Sequence, residues 1–167
     1  MPQTRTGDTD AVLLPFFEWC DATAVGEWIR NSLWLFPAIE AVHLLGLCVL
    51  GGSLLVVDLR LLGLGLKRQT IEELGGQLRP WLVGAIGVMI ATGLLLFFSE
   101  AVKCYYNQSF WVKITTLPIA LLFTFTVRQR VVRSGGLETS ARTRLVGAVS
   151  IVLWLTVAAA GRWIGFS

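Results

Sequence analysis

Leu33 to Leu62, LWLFPAIEAVHLLGLCVLGGSLLVVDLRLL, is apolar apart from Glu40, His43, Ser53, Asp58 and Arg60. A helix needs about 20 apolar residues to cross roughly 30 Å of hydrocarbon, and this run exceeds that even with Trp34 and Arg60 assigned to the interfaces. It reads as a membrane-spanning helix. At about 100° per residue, Glu40 and Asp58 return to the same azimuth after about five turns, roughly 27 Å apart along the axis. One face then carries a carboxylate near each membrane surface. His43 lies within about 60° of that line, and Gly51 lies on it, where a missing side chain lets another helix approach. That face is expected to point into protein, with the other spans supplying partners for its charges.

The whole chain fits this reading. Its 167 residues are 54% hydrophobic and 15% charged, with a mean hydropathy of +0.68, which lies outside soluble composition. The length holds a single domain of four spans with short connections, an all-α integral membrane four-helix bundle. No room is left for a soluble catalytic or nucleotide-binding domain. The basic residues form no clustered stripe, so nucleic acid is excluded as a partner and the lipid bilayer takes its place. Cys20, Cys48 and Cys104 lack CxxC or Cys/His spacing, which argues against a structural zinc site.

In chain order, Met1 to Asp10 is polar and expected to be frayed. No cleavable signal peptide is expected, because AVLLPFF at Ala11 to Phe17 is short and broken by Pro15. Ala11 to Arg30 mixes Phe16, Phe17, Trp19 and Trp28 with charges and reads as an interfacial amphipathic segment, so that 1–30 precede a membrane domain over 31–167. The spans are expected at about 33–62, 81–99, 110–127 and 145–161. Gly63 to Arg79 is a polar connection ending at Pro80, which suits the first position of a helix. Gly84, Gly87, Ala91 and Gly93 are small residues fit for close helix contact, and Pro118 is expected to bend the third span.

Lysine and arginine divide unevenly. Arg60, Lys67, Arg68, Arg79, Arg128, Arg130, Arg133, Arg142 and Arg144 flank the connections after spans one and three, whereas the other side has Arg5, Arg30, Lys103, Lys113 and Arg162. The cation-rich connections are therefore expected in the cytoplasm, placing both termini in the periplasm of a bacterial inner membrane. Cys20 and Cys104 share the oxidising side, where a bridge requires Cα atoms within about 7 Å.

Two polar sets carry the chemistry. On the outer side, Glu40, His43, Glu100, Asn107, Lys113 and Arg162 all fall within about ten ångströms of the interface. An unpaired charge at that depth is costly, so Glu40 is expected to meet Lys113 or Arg162, with His43 and Asn107 completing hydrogen bonds. On the inner side Asp58 is expected to pair with Arg142, with Arg128 and Arg79 as competitors. The set reads first as an ion-pair network. Its functional alternatives are ligand binding, a proton path marked by Glu40 and Asp58, or a redox site in which His43 ligates haem b or a metal ion. Glu40 and His43, three apart on a helix, present both side chains to one place, but a di-iron bundle needs two such motifs and a bis-His haem needs a second histidine from another subunit. There is no HExxH, no GxSxG, and one histidine in all, so no catalytic residue is assigned. The function read from these residues is a non-catalytic binding or accessory subunit, with a membrane or periplasmic protein or a second copy of the chain as possible partner.

NSLWLFPAIEAVHLLG (Asn31 to Gly46), DLRLLGL (Asp58 to Leu64), RPW (Arg79 to Trp81) and AGRWIG (Ala160 to Gly165) together resemble an uncharacterised bacterial membrane family, that of domain of unknown function 6644. The resemblance runs from about Glu27 to Phe166. It implies four spans and carries no reaction. A looser likeness is to the membrane part of copper-resistance CopD proteins, which use Met and His. Here Met1, Met89 and His43 are all that could serve.

Overall fold

The protein is described here by a computed structural model covering residues 7–66 and 68–165, with the backbone alone for 7–12. Met1 to Thr6 of the stretch expected to be frayed, with Arg5, and also Lys67 and Phe166, lie outside the described residues. Helix α1 (Gly7–Asp21) already includes the end of that stretch, and α2 (Ala24–Asn31) follows it. The spans are α3 (Leu35–Leu62), α4 (Ile71–Ser99), the run from α6 (Gln108–Phe123) through a π-helical turn (Thr124–Arg128) into α7 (Gln129–Arg133), and α8 (Ala141–Ile164). Short α5 (Ala101–Tyr106) joins α4 to α6. The described residues contain no strand. This is an all-α four-helix bundle with apolar helices of membrane-spanning length.

Its surface matches such a solvent. Only 17–33% of the most apolar window of each span is buried within the protein, and Leu45, Leu94, Leu122 and Leu155 face outward. A face that would be unstable in water is ordinary in hydrocarbon, where backbone groups must instead be satisfied internally. Hydroxyls on the spans follow the same rule: Ser53 donates to Val49 O at 2.7 Å, and Thr156 to Val152 O at 2.8 Å, on their own helices.

Helix α3 packs against α4 on one side and α8 on the other, and α6 lies against α8. The core has three parts. Phe17, Cys20, Ala101, Cys104 and Phe110 fill the terminal end, where α1, α5 and the last turn of α8 meet; Leu50, Leu54, Leu82, Ala85 and Ile86 the middle; Val57, Leu61, Ile71, Leu74, Val131, Val132 and Val146 the end that holds the connections.

Three expectations change. Helix α4 begins at Ile71, not at Pro80, because Thr70 and Glu73 form a reciprocal capping box (3.1 Å each way) and the helix then runs through Pro80. Gly51, Gly84 and Gly87 have nothing within 4 Å of a would-be Cβ, so they do not mark helix contacts. Close approach occurs at Gly147 instead, where a Cβ would lie 3.0 Å from Asp58 O and from Leu61 Cβ, and this brings α8 onto α3. The N-terminal segment is also docked as well as amphipathic. Gly26 sits so close to Phe98 O that no side chain fits, and Arg30 Nη1 donates to Ser99 O at 2.9 Å, satisfying a carbonyl at the C-terminus of α4. Asp21 holds that guanidinium from the other side at 3.2 Å.

Candidate functional site

At the connection end, Asp58 is buried between α3, the π turn and α8. Its Oδ1 accepts from Arg128 Nε at 2.7 Å and its Oδ2 from Ser150 Oγ at 2.6 Å. Arg128 Nη2 reaches Leu54 O at 3.4 Å. The partner is thus Arg128 and not Arg142, which is exposed on α8 and forms no ion pair among the described residues. The π turn explains the choice. One wider turn shifts the azimuth of everything after Phe123 and swings Arg128 inward, a local geometry often found where a side chain must be re-aimed. Arg60, counted from sequence only as a topological cation, is fully buried near the end of α3. It donates from Nε to Gln69 O at 3.0 Å, from Nη2 to Leu137 O at 3.0 Å, and from Nη1 to Thr139 Oγ1 at 3.4 Å. One guanidinium thereby ties both connections to α3.

At the terminal end the predicted outer set is divided. Glu100 pairs with Lys103 at 3.7 Å on the surface, and Asn107 caps α6 by accepting from Ser109 N at 2.9 Å while donating to Ile164 O at 3.5 Å. Glu40 is half-buried and forms no ion pair among the described residues, so neither Lys113 nor Arg162 serves it. Arg162 is exposed and engaged in other contacts. The other two members, His43 and Lys113, form no ion pair among the described residues. His43 Nδ1 lies 2.7 Å from Thr92 Oγ1, and that hydroxyl lies 2.6 Å from Val88 O. A threonine has one proton to give, and we assign it to the carbonyl. Thr92 then accepts from His43, which places the imidazole proton on Nδ1 and leaves a lone pair on Nε2. The ring lies over Gly93, whose would-be Cβ is 3.3 Å from Cε1.

Lys113, on α6, lies over Gly161 of α8, with Nζ 3.2 Å from a would-be Cβ there. No carboxylate stands within ion-pair distance of Nζ and no hydrogen bond holds it among the described residues; the same is true of His43 Nε2. Neither is a sealed orphan, since no buried side-chain nitrogen or oxygen there lacks a partner. Both atoms therefore keep some accessible surface. Thr92 and Gly161 escaped the sequence reading because the register of one helix against another leaves no mark in either helix's own pattern.

Cys104 is near enough to feel the charge of Lys113, but it is no counter-ion. Burial, and then the Glu100 carboxylate, push its thiol up to about 11. Burial also raises Cys20. The two sit in one core cluster as free thiols, so the bridge open to them is not formed.

Among the described residues no three His, Cys, Asp or Glu side chains converge as a metal site. The chain matches the family described as Family of unknown function (DUF6644) over residues 16–167. It belongs to that family. No curated protein and no solved structure matches this DUF6644 chain.

Proposed function

We propose that this DUF6644 protein is a non-catalytic binding or accessory subunit of a bacterial inner membrane, with both termini in the periplasm and the cation-rich connections in the cytoplasm. Its His43 and Lys113 meet a ligand or a protein partner in the outer half of the bundle. One observation carries this reading: Lys113 stands among apolar spans with no counter-ion among the described residues, and His43, in the same half of the bundle, has an unused ring nitrogen. Intramembrane charges are costly and mark functional positions unless a partner explains them. A ligand that is anionic, or that both donates to Nε2 and accepts from Nζ, supplies what is missing.

The free Nε2 lone pair favours one second reading, in which His43 ligates haem b or a metal. The remaining ligands then come from the cofactor itself or from a second copy of the chain. One preparation separates the two. Native mass spectrometry and the visible spectrum of purified protein are expected to show a bound non-protein mass or protein partner without a Soret band, lost in Lys113→Met. A Soret band lost in His43→Ala carries the haem reading instead, and a bare, colourless chain contradicts both.

A further inference from the structure

The connection end holds a cavity of about 170 Å³ between α3, α4 and α7, large enough for several waters at about 30 Å³ each in the liquid. Arg128 lies at its floor and Arg79, Arg133 and Glu72 at its rim. Arg128 is 95% buried by its 5% exposure, and two of its three nitrogens are used, Nε on Asp58 and Nη2 on Leu54 O. Nη1 makes no hydrogen bond among the described residues and keeps accessible surface, and Arg128 lines the cavity. Arg79 and Arg133 are exposed and form no ion pair among the described residues. With Glu72 and Asp58 set against the three guanidiniums, one positive charge is left over.

We propose that this cavity binds a phosphate-type monoanion, either the headgroup of an acidic phospholipid or free inorganic phosphate. Guanidinium forks match phosphate oxygens, and a single leftover charge matches a phosphodiester or monobasic phosphate. The depth is right as well. Trp81 is exposed two residues from Arg79 and marks the interface, and Leu82, further along the span, continues the wall toward the hydrocarbon. Basic pockets between spans at this level are suited to anionic headgroups. Space is kept by missing side chains: Gly75 packs so tightly on Val132 that no Cβ fits, while Gly76 borders the cavity with nothing within 4 Å of its would-be Cβ. The site is separate from His43 and Lys113 at the other end.

The test measures melting temperature in dodecyl maltoside at constant ionic strength during titration with inorganic phosphate, dihexanoyl-phosphatidylglycerol, or dihexanoyl-phosphatidylcholine as the zwitterionic control. The parent is expected to show a saturable rise with an anionic probe. Phosphatidylglycerol acting alone assigns the lipid, and phosphate acting by itself assigns the free anion. Two variants remove the site differently: Arg79→Gln with Arg133→Gln takes away the rim charges but leaves the Asp58 and Arg128 pair, and Gly76→Leu fills the space but leaves the charges. Each is expected to weaken apparent affinity by roughly tenfold or more, the scale of one lost charge-assisted contact. No saturable rise, an equal rise with phosphatidylcholine, or a smaller loss in either variant overturns the proposal.

Discussion

At the connection end Asp58 has Arg128 at 2.7 Å and Ser150 at 2.6 Å, whereas at the terminal end Lys113 rests on Gly161 with no acceptor among the described residues, and His43 keeps one ring nitrogen unused there. Both ends place charge inside a membrane bundle, where desolvation makes it expensive. Asp58 offsets that cost internally, through Arg128 and Ser150. Lys113 has no such partner among the described residues, which is why the proposed function places its ligand there. Position in the span did not separate the two, since Asp58 and Lys113 each lie within a few turns of a helix end. Completeness of the partner set did.

The largest expected effect tests the closed end. Arg128→Met leaves the Asp58 carboxylate buried with only a serine, and removing one partner of a buried pair costs about 3 to 5 kcal/mol. The double change with Asp58→Leu is expected to restore most of that, because an apolar pair of similar volume is nearly neutral. The readout is thermal stability in detergent. Losses that simply add would show that the two residues do not act as a pair.

A smaller effect concerns whether the open end is truly open. If Cys104 were the counter-ion of Lys113, it would be a thiolate at neutral pH. With its thiol at about 11 in place of the ordinary 9.0, Cys104 is protonated there, and the thiolate fraction at neutral pH is about 100-fold below that of a free cysteine. In a Cys20→Ser, Cys48→Ser background the alkylation rate is expected to climb with pH toward a half-point near 11. A half-point below 9 would give Lys113 its missing anion and erase the contrast between the ends.

Much of this was readable in advance, for identifiable reasons. Four apolar runs and the lopsided arginines are properties of composition along the chain, and they led to the four-helix fold without any knowledge of packing. The capping box at Thr70 and Glu73 was also legible, but Pro80 drew the helix start toward itself. Asp58's partner was not legible. Arg142, Arg128 and Arg79 lie at comparable depths, and the π turn that brings in Arg128 has no signature in the hydrophobic pattern. Likewise, Gly51 and Gly147 look alike as letters, and only the register of α8 on α3 makes the second one a contact. Sequence therefore located the charged residues at both ends, and interhelical register decided which of them were satisfied.

The most direct test of the claim that Asp58 is paired inside the bundle while Lys113 is not is the melting temperature of Lys113→Met in detergent, measured beside Arg128→Met. An unpartnered ammonium contributes no native contact, so Lys113→Met is expected to melt at or above the temperature of the parent while Arg128→Met falls by the amount given above. A Lys113→Met variant that falls as far as Arg128→Met would mean that the ammonium has a structural partner, with Glu40 the nearest candidate on sequence grounds, and the terminal end would be another closed ion pair.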